Sequence, residues 1–154
     1  MRTLCLAAVA GLLVAAAGCG GGGSGSSALQ DGVYESNVTS QYLKQHGETS
    51  DQAVRDAGRH VLTLQNGSFS DTWKSAGSGS TSCSGKYEDD SGVVTFTWIS
   101  GCFGDWSAKY AIDGDRVTWS GAKALPPHDS AEDQRQAEIS AAVPWTRTGD
   151  VPSS

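Results

Sequence analysis

The chain lacks several things, and each absence closes a class of function. Its eleven Lys and Arg are scattered among seventeen Asp and Glu. Without a basic cluster there is no electrostatic footprint for nucleic acid. A membrane-crossing helix needs about 20 apolar residues; the longest apolar run, Leu4 to Ala17, is shorter. Three histidines, His46, His60 and His128, stand apart from the cysteines, and none has zinc-ligand spacing with a Cys or a second His. No Gly-x-Ser-x-Gly occurs, and local context suggests no Ser/His/Asp set. The glycine run Gly20–Gly23 lacks the Lys-Ser/Thr and the preceding strand of a phosphate-binding loop. Glu88-Asp89-Asp90 lacks the alternating acidic spacing of a calcium loop, and reads, like Asp113-Gly114-Asp115, as solvated hairpin-turn chemistry. The expectation is a protein that is not an enzyme, with no metal and no cofactor.

What the sequence does have is alternation. In Val93–Tyr110, Val94, Phe96 and Trp98 alternate with Val93, Thr95 and Thr97; Trp106, Ala108 and Tyr110 alternate with Ser107 and Lys109. Period two in β-branched and aromatic residues predicts strands. The pattern extends over Gly32–Thr39, Arg59–Gln65, Ser68–Lys74, Ser82–Glu88, Val117–Trp119 and Trp145–Thr148. Asn66-Gly67 is a strong hairpin signal. Ser40 and Ser50 are placed to cap short helices, Gln41–His46 and Asp51–Ala57, stopped by Gly47 and Gly58. Asp129-Ser130-Ala131-Glu132 has capping-box spacing, with Asp129 as the cap, ahead of a helix over Ser130–Ala142 that Pro144 ends. The fold class predicted is mainly β: an up-and-down antiparallel barrel of about eight strands, with short helices after strand one and before the last strand. Its domain spans 29–149, followed by a tail over 150–154.

The first residues carry an address. Met1 and Arg2, an apolar stretch and small residues describe an export signal over 1–18. Ala16-Ala17-Gly18-Cys19 resembles the bacterial lipobox, with Ala16 where Leu is commonest. The resemblance implies cleavage before Cys19, diacylglycerol on its sulfur, often a further acyl chain such as palmitate on its amino group, and anchoring to the membrane on the extracytoplasmic side. Gly20–Ser27 is then a flexible linker within 19–28. Of four cysteines, Cys5 leaves with the signal and Cys19 takes the lipid. Cys83 and Cys102 remain, and in an exported protein they are expected to pair, stabilising the fold by roughly 3 kcal/mol on the chain-entropy model. The formal charge of −6 becomes −7 once Arg2 is removed, which suits solubility beside an anionic membrane.

Gly32-x-Tyr34 opening strand one, a helical segment, a string of hairpins and a helix leading to a last strand with Arg147 resemble the lipocalin-like barrels. True lipocalins usually have Trp where this chain has Tyr34. The resemblance implies a barrel that holds a small apolar ligand. Pro144-Trp145-Thr146-Arg147 also resembles the end of the barrel domain in uncharacterised lipoproteins. By strand parity the candidate lumen is Tyr34, Trp73, Phe96, Trp98, Trp106, Tyr110 and Trp119, joined by Phe69, with Ser36, Ala108 and Gly121 leaving room. Asp71 shares that face and is either wet at the rim or paired with Arg147 or Lys109. Two functions stand side by side. One is a surface-anchored carrier of an apolar or amphipathic small molecule. The other is an interaction or inhibitor module with a solid core, whose loops, Phe103 foremost, contact an envelope protein.

Overall fold

The computed structural model describes residues 28–75, 80–101 and 104–152. The signal, Cys19 and the linker lie outside them, as do Cys102 and Phe103. Eight strands close into one antiparallel barrel in chain order: β1 Gly32–Val38, β2 Gly58–Gln65, β3 Ser68–Lys74, β4 Ser80–Asp90, β5 Val93–Ser100, β6 Trp106–Asp113, β7 Arg116–Ala124 and β8 Trp145–Gly149. β8 pairs back onto β1 through Tyr34–Arg147 and Glu35–Thr146. Closure leaves no edge strand open to pair with another chain.

The period-two reading holds. Tyr34 and Ser36, Leu62 and Leu64, Cys83 and Tyr87, Val94 and Phe96, Trp106 and Ala108, and Val117 and Trp119 are all buried on alternating positions. The barrel narrows where Gly85 sits opposite Phe69. A Cβ on Gly85 would meet Phe69 Cε1 at 2.6 Å and the Thr97 carbonyl at 2.1 Å, so only glycine lets that ring lie flat on the wall.

The two ends differ. Three tight turns, Asn66-Gly67, Ser91-Gly92 and the turn at Gly114, share one end. The residues before β1 cross that end and plug it. Leu29 is buried, and its N–H donates to Asp89 Oδ2 at 3.0 Å and to Tyr110 Oη at 3.1 Å. Asp31 accepts from Tyr87 Oη at 2.5 Å and from the Asn66 N–H at 2.9 Å. Arg147 donates to the Asp31 carbonyl at 3.1 Å. The long connections all fall at the opposite end. That between β1 and β2 carries α1 Ser40–Gln45 and α2 Ser50–Asp56, and that between β7 and β8 carries α3 Ala131–Ala142. Leu43, Ala53 and Ile139 pack the three helices into a second small core beside the open end. Burying a Leu of this kind is worth about 1.5–3 kcal/mol. Gln134 fastens α3 to β7, accepting from the Ala124 N–H at 3.0 Å and donating to the Ala122 carbonyl at 2.9 Å.

Three local expectations are corrected. Thr39, not Ser40, caps α1, its Oγ1 accepting from the Tyr42 N–H at 3.1 Å. Ser130, not Asp129, caps α3, and its box partner is Asp133 rather than Glu132. The two candidate boxes are offset by one residue and spacing alone does not separate them; Glu132 pairs with Arg135 instead. Asp89, read as turn chemistry, lies inside the longer β4 and accepts from Tyr110 Oη at 2.6 Å. Burial and that bond push the Tyr110 hydroxyl up to about 12, so it stays a donor.

Candidate functional site

The open half of the barrel holds a cavity of about 410 Å³. Parity along the strands builds its wall. β3 contributes Phe69, Asp71 and Trp73, β5 Phe96 and Trp98, β6 Trp106, β7 Trp119 and β8 Trp145. The rings brace one another. Phe96 stacks on Trp106 at 4.9 Å between centroids and meets Phe69 edge-on at 5.2 Å. Phe69 in turn meets Trp98 edge-on at 4.7 Å. Edge-to-face and offset contacts at these separations add about 0.5–1.5 kcal/mol each beyond burial. The cavity is thus a rigid aromatic cup rather than a slack core.

Of the seven residues predicted for the lumen, Trp73, Phe96, Trp98, Trp106 and Trp119 line this cavity. Tyr34 and Tyr110 do not. Tyr34 is 2 % exposed and donates to the Gln30 carbonyl at 2.6 Å; Tyr110 bonds Asp89. Both serve the plugged end. Parity puts a residue inside the barrel but does not give its depth. Cys83 lines the cavity and is buried; its expected partner Cys102 lies outside the described residues.

Polar groups gather at the mouth. His60, on β2, stacks on Trp73 at 5.2 Å. Its Nδ1 lies 3.4 Å from Asp71 Oδ2 and its Nε2 3.1 Å from the Asp56 carbonyl. A neutral imidazole donates from one nitrogen only, and here both face acceptors. Burial opposes a charge on His60, but hydrogen bonding and the charges of Asp71 and Asp56 outweigh it and raise its pKa. Asp71 thus takes its donor from His60, not from Arg147 or Lys109. Glu48, between α1 and α2, is only 7 % exposed. Burial, then the neighbouring charge of Asp56, raises its pKa. Burial likewise raises Asp56.

Four buried polar atoms of the cavity wall have no hydrogen-bond partner among the described residues: Asp71 Oδ1, Glu48 Oε2, and the indole nitrogens of Trp106 and Trp119. Buried polar groups are normally paired, because each unpaired one costs about 1–3 kcal/mol. Among the described residues no three His, Cys, Asp or Glu side chains converge as a metal site requires.

Sequence reading missed Glu48, Asp56, His60 and Trp145 as cavity residues. The signal was present: in an up-and-down barrel every second connection falls at the same end, so the helical stretch 39–57, the linker to β8 and the residues flanking them had to meet there. No family model, curated protein or solved structure matches the chain.

Proposed function

We propose that the protein is an exported, lipid-anchored barrel that holds a small apolar or amphipathic molecule at the cell surface. The observation that carries the ligand half is the cavity. Eight strands enclose little more than side chains can fill, yet about 410 Å³ is left open at one end, within the size of small-molecule pockets. Its wall is aromatic with few polar atoms. The anchor half rests on the sequence: the apolar segment, Ala16-Ala17-Gly18-Cys19 and the flexible run after it. Such a leash joins the barrel where Leu29–Asp31 cross the plugged end, so the open mouth faces away from the point of attachment.

The Cys83–Cys102 disulfide belongs to the same reading. Cys83 is buried in the cavity wall. Gly101, the residue before Cys102 in the chain, packs its backbone against Cys83, where an added Cβ would lie 3.3 Å from Cys83 Cα. A second reading, docking of an envelope protein against the open-end loops, draws on Ile99, which is 69 % exposed on β5 just before the turn that carries Phe103.

Mass spectrometry of an organic-solvent extract of the full chain, purified from a bacterial host, tests both halves. A stoichiometric apolar metabolite absent from a mock purification supports the carrier. Diacylglycerol on the N-terminal peptide beginning at Cys19 supports the anchor, and a peptide that continues unmodified through Cys19 refutes it. Trp98→Ala and Trp106→Ala should release the metabolite; retention in both variants removes the cavity from the argument.

A further inference from the structure

The cavity reading leaves open the chemistry of the occupant, and the mouth supplies it. We propose that the ligand carries a protonated amine, seated against Asp71 and Glu48, with its apolar body on the indole walls. The inference rests on the carrier reading above.

Charge at the site is one-sided. Glu48, Asp56 and Asp71 line the cavity, Glu132 and Asp133 stand at its helical rim, and among the described residues no Lys or Arg lines it. His60 offsets one of these charges, and Arg135, paired with Glu132 outside the lining, offsets part of the charge of Glu48. Acidic residues alone would mean little, since exposed clusters are solvated. Here Glu48 is more than nine-tenths buried; its carboxyl takes one hydrogen bond from Gln136, but its Oε2 has no donor, and neither has Asp71 Oδ1. Both are acceptors at the edge of an aromatic cup. An ammonium group supplies N–H donors to these two free oxygens, and charge-assisted bonds of this type are about twice as strong as neutral ones. The surrounding indoles favour the same ligand, because a cation is drawn to their electron-rich faces. Deeper in, the unpartnered N–H groups of Trp106 and Trp119 call for an acceptor. A carboxylate there would face a net negative mouth, so the acceptor that fits is neutral, such as a carbonyl, ether or hydroxyl oxygen.

The test uses three probes with one apolar body and different heads: octylammonium, 1-octanol and octanoate, titrated calorimetrically into the full chain at pH 7. Octylammonium should bind at least tenfold tighter than octanol, and octanoate weakest. In Asp71→Asn and Glu48→Gln, each verified as folded by circular dichroism, the ratio of octylammonium to octanol affinity should shrink several-fold. If octanol matches octylammonium, or octanoate binds best, the cavity remains an apolar site and the amine inference falls. An undiminished preference in both variants also overturns it, since other groups then select the cation. If none of the three binds, the carrier reading fails and takes this one with it.

Discussion

The plugged and open ends of the barrel treat their carboxyl groups in opposite ways. At the plugged end Asp31 receives the Tyr87 hydroxyl and the Asn66 N–H, and these bonds hold its carboxyl below the usual range. Asp89 receives two donors on one oxygen, although its Oδ1 is unmatched. At the open end burial raises Glu48 and Asp56, so charging them costs free energy. Side chains fill one end and a cavity occupies the other. Packing and satisfied polar groups are what folding stability selects. A hollow lined by aromatic rings and under-satisfied acceptors is a local conflict of the kind that marks binding sites.

The largest test of this contrast is a pair of truncations. Leu64 on β2 is fully buried toward the plugged end. Leu64→Ala should cost about 3 kcal/mol in urea unfolding, as lost transfer energy plus a new cavity. Trp73 is half-buried at the mouth, next to space that already exists. Trp73→Ala should cost about 1 kcal/mol, despite the larger side chain, and should weaken ligand uptake several-fold. If Trp73→Ala proves the more destabilising, the mouth is structural core and the contrast between the ends collapses.

Tyr87→Phe sharpens the plugged side. It removes one neutral-to-charged hydrogen bond from Asp31 and should cost about 1 kcal/mol at pH 7. The sign of its pH dependence follows from the lowered Asp31 pKa. A group lowered on folding contributes stability that is complete above its unfolded value, 3.8, and is lost as pH falls through the folded value. The gap between variant and parent, read from urea curves at pH 7 and below pH 3, should therefore close in acid. A constant gap would assign the loss to packing of the ring.

Much of the fold was legible because its determinants are local. Alternation fixed which faces turn inward, and Asn66-Gly67 and Asp113-Gly114 fixed two turns. Depth was not legible. Tyr34 and Tyr110 share parity with Phe96 and Trp98, yet they anchor the plug, because Leu29 to Asp31 fold across that end. That crossing is a tertiary event with no periodic signature. His60, Asp56 and Glu48 are far from Asp71 along the chain and meet it only because β2, β3 and the β1–β2 helices share one rim. Cap choice at α3 failed for a narrower reason, two overlapping boxes of equal spacing.

The smallest predicted effect carries the opposite sign. Glu48→Gln should stabilise the protein at neutral pH. Burial raises the Glu48 pKa above its ordinary 4.5, so the folded state holds this proton more tightly than the unfolded chain does. Stability then declines as pH climbs from 4.5 through the folded value, and the deficit persists above it. Glutamine carries no charge at any pH and keeps most of the shape, so the variant should lose that decline. Solvent at the mouth screens part of the penalty, and the expected gain at pH 7 is about 0.5 kcal/mol, vanishing near pH 4. The charges of Asp56 and Glu132 add to the penalty on ionised Glu48, and Arg135 and the Gln136 hydrogen bond reduce it; the variant removes all four contributions together. A variant that is less stable than the parent at pH 7 would mean that the ionised Glu48 is paired in the fold. The open end would then be as well satisfied as the plugged one, and its carboxylates would no longer point to a missing cation.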